Sequence, residues 1–258
     1  MGTRWSAVVN ARASLPLASV EAALQNAVDL VDRQMSTWKS DSDLIRFNNS
    51  LVGEWIDMPL QLCHVVALGM QIGKDSDGAF DVGMGMPVSA WGFGAPGVPA
   101  ARNTPSSLPA AGTEVPRLEL DEEGQRLRRH SALWLDLSGI AKGYGVDCLA
   151  DVLDAFGVRD YLVSIDGEVR ASGRKADGSS WIIGLEAPVR DRRELVHTIE
   201  ISDMALATSG DYRHWREFEG NLISHTIDPR TGRPLRNELA AVTVSASSCA
   251  AADAWATA

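Results

Sequence analysis

The sequence predicts an α+β fold, in which one domain over residues 1–258 carries a mixed or antiparallel sheet with flanking helices. Helical periodicity dominates the early part of the chain, and short strand-like segments dominate the second half. The regular alternation of strand and helix that builds a parallel sheet is missing. Together these observations favour segregated helices and an antiparallel or mixed sheet.

The individual elements follow from apolar spacing and from their flanking residues. Helices are predicted over 20–38 after Ser19, 59–72 beginning at Pro59, 140–155, and from Ser247 or Ser248 to Ala258. Strands are predicted over 4–10, 161–165, 181–185, 196–201, 205–208, 222–225 and 240–246, with a hairpin over 118–135 around the turn DEEG. Loops are predicted over 39–50 and 83–116, and the second holds six of the 11 prolines.

Composition narrows the function classes. The formal net charge of −10 opposes non-specific binding to nucleic acid, which needs clustered basic residues. A phosphate-bearing ligand would therefore need a metal ion, a helix N-terminus or a few placed cations. Cys63, Cys148 and Cys249 lack CxxC spacing, so we expect neither a disulfide framework nor a zinc site, with Cys63 and Cys148 buried. We also expect no signal peptide and no membrane span.

A glycine-rich segment, GAFDVGMGMPVSAWGFG, occupies residues 78–94. Its glycines would let a ligand approach the backbone around Asp81. Neither GxGxxG nor Walker spacing is present, so on its own the segment is more typical of turns. Trp91 and Phe93 are large apolar rings, and we expect them to be packed.

The segment LDLSGIAKGYGVD at 135–147 reads as a strand that leads into a helix. A helix N-terminus offers free N–H groups, and Lys142 adds a cation, which suits a phosphate or a flavin ring edge. The alternative is an ordinary helix cap followed by a solvated lysine.

Two further patterns offer acid–base and metal chemistry. His225 precedes the turn DPRTGRP and is either a structural histidine or an acid–base group. Asp253 and Thr257 are four residues apart, on one face of the last predicted helix. Their oxygens suit Mg²⁺, although a surface aspartate beside a helical threonine is the alternative.

Taken in order, these segments resemble the ApbE family of flavin transferases over nearly the whole chain. The motifs that carry the resemblance are MGT, MSTWKSDSDLIRFN, GAFDVGMG with WGFG, LDLSGIAKGYGVD, ATSGDYR, SHTIDPRTGRP and DAWAT. The resemblance implies an FAD site at the positions of Met1, Trp38, Ala79, Phe80, Asp81, Asp136, Lys142 and Ile227. It also implies a Mg²⁺ site formed by the carbonyl of Gly139 and the side chains of Asp253 and Thr257.

The reaction implied is transfer of FMN from FAD to a threonine of a target flavoprotein, such as a redox-pump subunit or a reductase, with release of AMP. Asp253 and His225 are both candidates for the base that deprotonates the threonine. Two alternatives stay open: an FAD pyrophosphatase that gives FMN and AMP, and a non-catalytic FAD-binding protein. We expect no nucleic-acid partner, and membrane association only through a lipid anchor outside this chain.

The sequence departs from the family pattern at several positions. Trp38 stands where tyrosine is common, and Asp166 replaces a usual glycine. The chain stops one residue after Thr257, so we expect the C-terminal part of the family domain to be absent. We expect a cytoplasmic form from the sequence as it stands, and a cell-envelope protein if an export segment was removed from it.

Overall fold

Helices and strands alternate irregularly along the chain. The structure is a computed structural model, and it describes residues 3–11, 13–99, 117–189, 192–212, 215–218, 220–236 and 239–258. The helices are α1 (Leu17–Met35), α2 (Asp43–Asn48), α3 (Leu60–Asp75), α4 (Gly85–Ala90), α5 (Ala141–Ala155) and α6 (Cys249–Thr257). Among the described residues, none of these helices has the length and apolarity needed to span a membrane.

The strands pair antiparallel wherever the structure describes a ladder. They are β1 (Trp5–Asn10), β2 (Trp55–Asp57), β3 (Leu118–Asp121), β4 (Arg126–Arg129), β5 (Asp160–Ile165), β6 (Glu168–Ser172), β7 (Trp181–Glu186), β8 (Leu195–Ile201), β9 (Met204–Gly210), β10 (Trp215–Phe218), β11 (Asn221–Ser224), β12 (Ile227–Asp228), β13 (Arg233–Pro234) and β14 (Ala241–Ala246). This confirms the α+β class predicted from the sequence.

The chain divides into two compact units. Unit 1 contains Met1–Val31, Ile140–Arg213 and Leu239–Ala256, and unit 2 contains Asp32–Gly139, His214–Glu238 and Thr257–Ala258. Unit 1 holds a five-stranded sheet in the order β1-β5-β6-β9-β14 and the hairpin β7-β8. Unit 2 holds the three-stranded sheet β2-β4-β3 and the hairpins β10-β11 and β12-β13.

The core of unit 1 forms between one face of its sheet and two helices. Val20, Leu24 and Val28 lie one turn apart on α1, and they pack in one cluster with Leu149 and Leu153 of α5. Each such fully buried side chain stabilises the fold by roughly 1.5–3 kcal/mol. The same cluster includes Cys249, the first residue of α6, so the core fixes where that helix begins.

The core of unit 2 is built around α2, α3 and the chain leading to α5. Phe47 of α2 and Leu62 of α3 are fully buried, as are Leu127 of β4 and Leu135. The amide of Asn48 donates to the carbonyl of Leu135 at 2.9 Å, and the N–H of Leu135 donates back to Asn48 Oδ1 at 2.7 Å. These two hydrogen bonds satisfy the buried backbone C=O and N–H of Leu135, which lies outside the β-strands.

Several predicted boundaries were wrong. The predicted loop 39–50 contains α2, which Ser42 caps by accepting the N–H of Ile45 at 3.1 Å. The predicted loop 83–116 contains α4, although its residues 100–116 lie outside the described part. Cys63 is buried as predicted, whereas Cys148 is partly exposed. Strands β2, β6, β10, β12 and β13 were not predicted.

Candidate functional site

The N-terminal turn of α5 in unit 1 carries a half-buried lysine that pairs with a buried carboxylate. Lys142 Nζ lies 2.5 Å from Glu168 Oε1 at the start of β6. Glu168 is 2% exposed, and its Oε2 has no hydrogen-bond partner among the described residues. A buried carboxylate with one unsatisfied oxygen is costly, which marks this position as more than a stabilising contact.

Asp253 of α6 joins the same turn. The N–H of Gly143 donates to Asp253 Oδ2 at 2.9 Å, and Asp253 is 3% exposed. A side chain on Gly143 would lie 2.8 Å from Asp253 Cβ and would overlap the carbonyl oxygen of Cys249. Glycine is therefore required here because α5 and α6 approach each other backbone to backbone. We call Lys142, Glu168 and Asp253 the charged cluster.

Asp147 fixes the position of α6 from the next turn of α5. Its Oδ1 accepts the N–H of Cys249 and its Oδ2 accepts the N–H of Ala250, both at 2.9 Å. Arg170 Nη1 lies 2.6 Å from Oδ1 and balances the charge. These bonds satisfy the free N–H groups of the first turn of α6, and a carboxylate there is favoured by the helix dipole.

The charges of the cluster act on one another. Burial raises the pKa of Asp253, Glu168 raises it further, and the pKa reaches about 7 although Lys142 and the Gly143 N–H favour the carboxylate. Burial alone would lower the pKa of Lys142, but Glu168, and then Asp253, outweigh burial and raise it. The cluster thus holds one ammonium against two carboxylates, a charge balance that an additional cation would complete.

In unit 2, the glycine-rich segment brings the predicted ligand-contacting residues to one loop. Asp81 Oδ1 accepts the N–H of Gly83 at 2.7 Å, and Asp81 Oδ2 lies 3.0 Å from Arg117 Nη1. Phe80 is 6% exposed, and Ala79 beside it is half-buried. The Asp81 carboxylate therefore organises the loop itself, and a ligand contact would add to these bonds.

Gly139, Thr257 and Phe80 lie together in unit 2. A Cβ on Gly139 would lie 3.0 Å from Thr257 Oγ1 and 3.3 Å from Phe80 Cε2. Just before Gly139, Asp136 Oδ1 accepts the N–H of Ser138 at 2.8 Å, and the N–H of Asp136 donates to the carbonyl of Val82 at 2.8 Å. The structure thus brings the predicted carbonyl ligand and the predicted hydroxyl ligand to the same place.

In unit 2, His225 lies beside the ring of Phe93, and Trp91 lies beside the ring of Phe218. The rings of Phe93 and His225 are edge to face with centroids 6.3 Å apart, and those of Trp91 and Phe218 are 5.4 Å apart. Trp91 Nε1 donates to the carbonyl of Gly232 at 2.8 Å. This confirms that Trp91 and Phe93 are packed.

The remaining residues that were predicted to contact FAD differ in solvent exposure. Ile227 is buried at the start of β12, whereas the indole of Trp38 is 70% exposed. Met1 lies outside the described residues. Trp38 therefore offers a ring face to a ligand, and Ile227 offers at most one edge of its side chain.

The oxygen donors fit a hard divalent cation. Asp253 and Thr257 are four residues apart on α6, one helical turn, and Thr257 lies next to Gly139. Within the described ranges no cluster of three or more His, Cys, Asp or Glu side chains could hold a metal. A carboxylate, a hydroxyl and a carbonyl are ligands that suit Mg²⁺, which keeps several waters or substrate phosphates.

Sequence reasoning missed three residues that shape the site. Glu168 in SIDGEV received no role, and Gly143 and Asp147 in AKGYGVD were not singled out. Gly143 and Asp147 could have been found from the sequence, because both lie in the motif LDLSGIAKGYGVD. No local signal marks Glu168, because its partner lies 26 residues earlier in the chain.

The geometry can be compared with known proteins. The family described as "ApbE family" matches residues 1–258. The chain belongs to the ApbE family. An FAD:protein FMN transferase of Vibrio cholerae is 40% identical over 240 residues, covering 93% of this chain and 72% of that protein. The Salmonella typhimurium protein of the same name is 35% identical over 262 residues, covering 99% of this chain and 74% of that protein.

Solved structures of ApbE proteins agree with the fold. The apo form of the Pseudomonas stutzeri flavinyl transferase ApbE has a TM-score of 0.83 and 38% identity, covering 100% of this chain and 80% of that one. The flavin transferase ApbE from Vibrio cholerae also has a TM-score of 0.83, with 36% identity and coverages of 100% and 82%. The α+β fold described above is therefore the ApbE fold.

Proposed function

We propose that this chain is a transferase that moves FMN from FAD to a target protein, with release of AMP. A relative named for this activity is 40% identical to it over 93% of this chain. The observation that carries the proposal is the charged cluster, in which a buried carboxylate lies beside the ammonium of Lys142. This arrangement suits a pyrophosphate that binds together with a metal ion.

The proposed metal ligands are the carbonyl of Gly139 and the side chains of Asp253 and Thr257. Bound Mg²⁺ would supply electrostatic stabilisation of the charge that builds on the pyrophosphate oxygens. Gly143 and Asp147 preorganise these ligands, because one bonds the Asp253 carboxylate and the other caps the helix that carries it.

Several of the predicted residues are proposed to contact FAD, each considered within its own unit. Lys142 would contact a phosphate oxygen, and the exposed indole of Trp38 would stack on a ring. The loop of Phe80 and Asp81 would line the site through its backbone. The full proposed set for FAD is Met1, Trp38, Ala79, Phe80, Asp81, Asp136, Lys142 and Ile227.

We assign the base to His225 and the metal to Asp253. Asp253 is 3% exposed and already accepts a backbone N–H, whereas His225 is only half-buried, in the loop between β11 and β12. The threonine hydroxyl of the acceptor would attack the phosphorus of the FMN moiety. Its proton passes to His225, the P–O bond to AMP breaks, and a phosphoester to the threonine remains.

The test is to incubate the full chain with FAD and Mg²⁺, with and without a threonine-bearing acceptor. We expect AMP release and covalent flavin fluorescence on the acceptor in a denaturing gel. AMP release without labelling for every acceptor tried would favour FAD hydrolysis. Tight FAD binding without AMP release would contradict both enzymatic readings.

Asp253→Ala is expected to abolish Mg²⁺-dependent AMP release while FAD binding persists. Asp253→Asn should behave in the same way, and it keeps an acceptor for the Gly143 N–H, so that misfolding can be separated from metal loss. Asp41→Ala removes an exposed aspartate of unit 2 and serves as the matched control. Turnover that survived both Asp253 variants would contradict the metal assignment.

A further inference from the structure

Residues 133–136 are hydrogen-bonded to the glycine-rich segment of unit 2. The N–H of Gly85 donates to the carbonyl of Trp134 at 3.0 Å, and the N–H of Asp136 donates to the carbonyl of Val82 at 2.8 Å. We call residues 133–136 the support segment, because the backbone of the glycine-rich segment is bonded to it at these two points. The position of the one therefore depends on the position of the other.

The glycine-rich segment approaches the support segment closely. A Cβ on Gly83 would overlap the side chain of Leu133, and it would lie 3.0 Å from Asp81 Oδ1. A Cβ on Gly85 would lie 3.0 Å from both the Cβ and the carbonyl oxygen of Trp134. The close approach requires glycine at both positions. A shift of the support segment would therefore move Gly83, whose N–H holds the Asp81 carboxylate at 2.7 Å.

Asn48, the last residue of α2, fixes the support segment to that helix. Its side-chain amide donates to the carbonyl of Leu135 at 2.9 Å, and its Oδ1 accepts the N–H of Leu135 at 2.7 Å. Asn48 and Leu135 are each 1% exposed, so water does not replace these bonds when they are lost. An asparagine amide offers a donor and an acceptor side by side. Asn48 thus takes the place of a neighbouring strand.

Arg129 of β4 supplies a second anchor. Its Nη1 donates to the carbonyl of Leu133 at 2.7 Å, and its Nη2 donates to the carbonyl of Ser50, just after α2. Arg129 is 7% exposed, and among the described residues its guanidinium bonds these carbonyls and no carboxylate. A buried cation without a counter-charge is costly. Its bonds indicate that it is there to hold the backbone of the support segment.

We propose that Asn48 is a positioning residue for FAD, which fixes the support segment so that the loop of Asp81 and the neighbouring Asp136 keep the geometry that contacts the ligand. Arg129 acts on the same segment from β4. The inference rests on the proposed function only through FAD binding by Asp81 and Asp136, and it does not require turnover. Contacts that are already ordered in the free protein bind more tightly, because binding does not have to order them.

The experiment measures the Kd for FAD of the full chain by fluorescence titration, at a temperature well below the melting transition of each variant. Asn48→Ala is the test variant, and Arg129→Met tests the second anchor. Asn49→Ala is the matched control, because it makes the same substitution one residue later, at an exposed side chain. Val65→Ala is the stability control, because this apolar side chain of α3 is 1% exposed and forms no hydrogen bond. Melting temperatures without FAD report whether each variant folds.

We expect Asn48→Ala to raise the Kd for FAD about tenfold, a factor that corresponds to one hydrogen bond. Arg129→Met should raise the Kd in the same direction. Asn49→Ala should bind FAD as the unmodified chain does. Val65→Ala should lower the melting temperature and leave the Kd unchanged. A merely structural role for Asn48 would lower the melting temperature in the same way, and it would not move the Kd.

An unchanged Kd in a folded Asn48→Ala would overturn the inference, and if that variant does not fold, an unchanged Kd in Arg129→Met would do so. An equal rise in Val65→Ala would overturn it as well, because lost stability would then explain the effect. AMP release from FAD by the unmodified chain is measured in parallel and reports on the proposed function independently. Failure of that reaction, with the expected pattern of FAD affinities, would leave the role of Asn48 standing.

Discussion

The charged cluster of unit 1 and the loops of unit 2 present opposite kinds of surface. Asp253 and Glu168 are 3% and 2% exposed and are held by helix ends and a central strand, whereas Trp38 is 70% exposed. The buried cluster has fixed bonds and unbalanced charge, which suits recognition of a metal and a phosphate. The exposed ring suits a contact that forms only when a ligand arrives. Binding energy and catalytic electrostatics should therefore respond to different mutations.

The largest expected effect comes from closing the gap between α5 and α6. Gly143→Ala would place a methyl group 2.8 Å from Asp253 Cβ and into the carbonyl oxygen of Cys249. Both contacts involve groups held by a helix, so the helices must separate. We expect a loss of about 3 kcal/mol in the free energy of unfolding, measured by urea denaturation, together with loss of Mg²⁺-dependent AMP release.

Gly167→Ala is the matched control. The position lies in the turn between β5 and β6, and no atom lies within 4 Å of the added carbon. Its free energy of unfolding should change by no more than about 0.5 kcal/mol. Equal losses of free energy of unfolding in Gly143→Ala and Gly167→Ala would mean that the close approach of α5 and α6 is not the cause.

The four longer helices of this fold could be predicted from the sequence, while α2, α4 and the charged cluster could not. Helices α1, α3, α5 and α6 have apolar residues at helical spacing, and that local signal was sufficient. Strand β6, with the sequence EVRAS, carries little strand propensity and forms because β5 and β9 pair with it on either side. Glu168 begins that strand, so its role was missed together with the strand.

Two positions show what a local feature of the sequence can and cannot predict. Asp166, noted in the sequence as a replacement for a usual glycine, has a φ of 58°, which aspartate tolerates better than most residues. By contrast, the bond between Gly143 and Asp253 joins residues 110 apart in the chain. No spacing rule reaches that far, so only the resemblance suggested that these segments meet.

A smaller effect should follow from neutralising Asp253. Because burial and Glu168 raise the pKa of Asp253 from 3.8 to about 7, the folded chain without metal holds a proton between those values that the unfolded chain has released. Stability should therefore fall as the pH rises through this window. Asp253→Asn removes the penalty, and in EDTA it should be about 1–2 kcal/mol more stable than the unmodified chain at pH 8.

The same comparison at pH 4 supplies the control, because the carboxyl of Asp253 is then protonated in the folded chain. The advantage of Asp253→Asn should disappear there in urea denaturation. A constant advantage at both values would mean that packing, and not charge, penalises the aspartate. An advantage that disappears at pH 4 would support the view that the charged cluster lowers stability because its charges serve cation binding.

The smallest effect on stability is expected from a change at the exposed Trp38, and this change should affect FAD binding selectively. Trp38→Ala removes a ring that is 70% exposed, so the free energy of unfolding should change by less than about 0.5 kcal/mol. Lost stacking should nevertheless raise the Kd for FAD about fivefold to a hundredfold in fluorescence titrations. Trp38→Tyr should restore affinity, and Leu51→Ala, at a side chain 68% exposed, should leave it unchanged. If Trp38→Ala bound FAD as tightly as the unmodified chain, the exposed ring would have no part in the site, and recognition would rest on the buried groups alone.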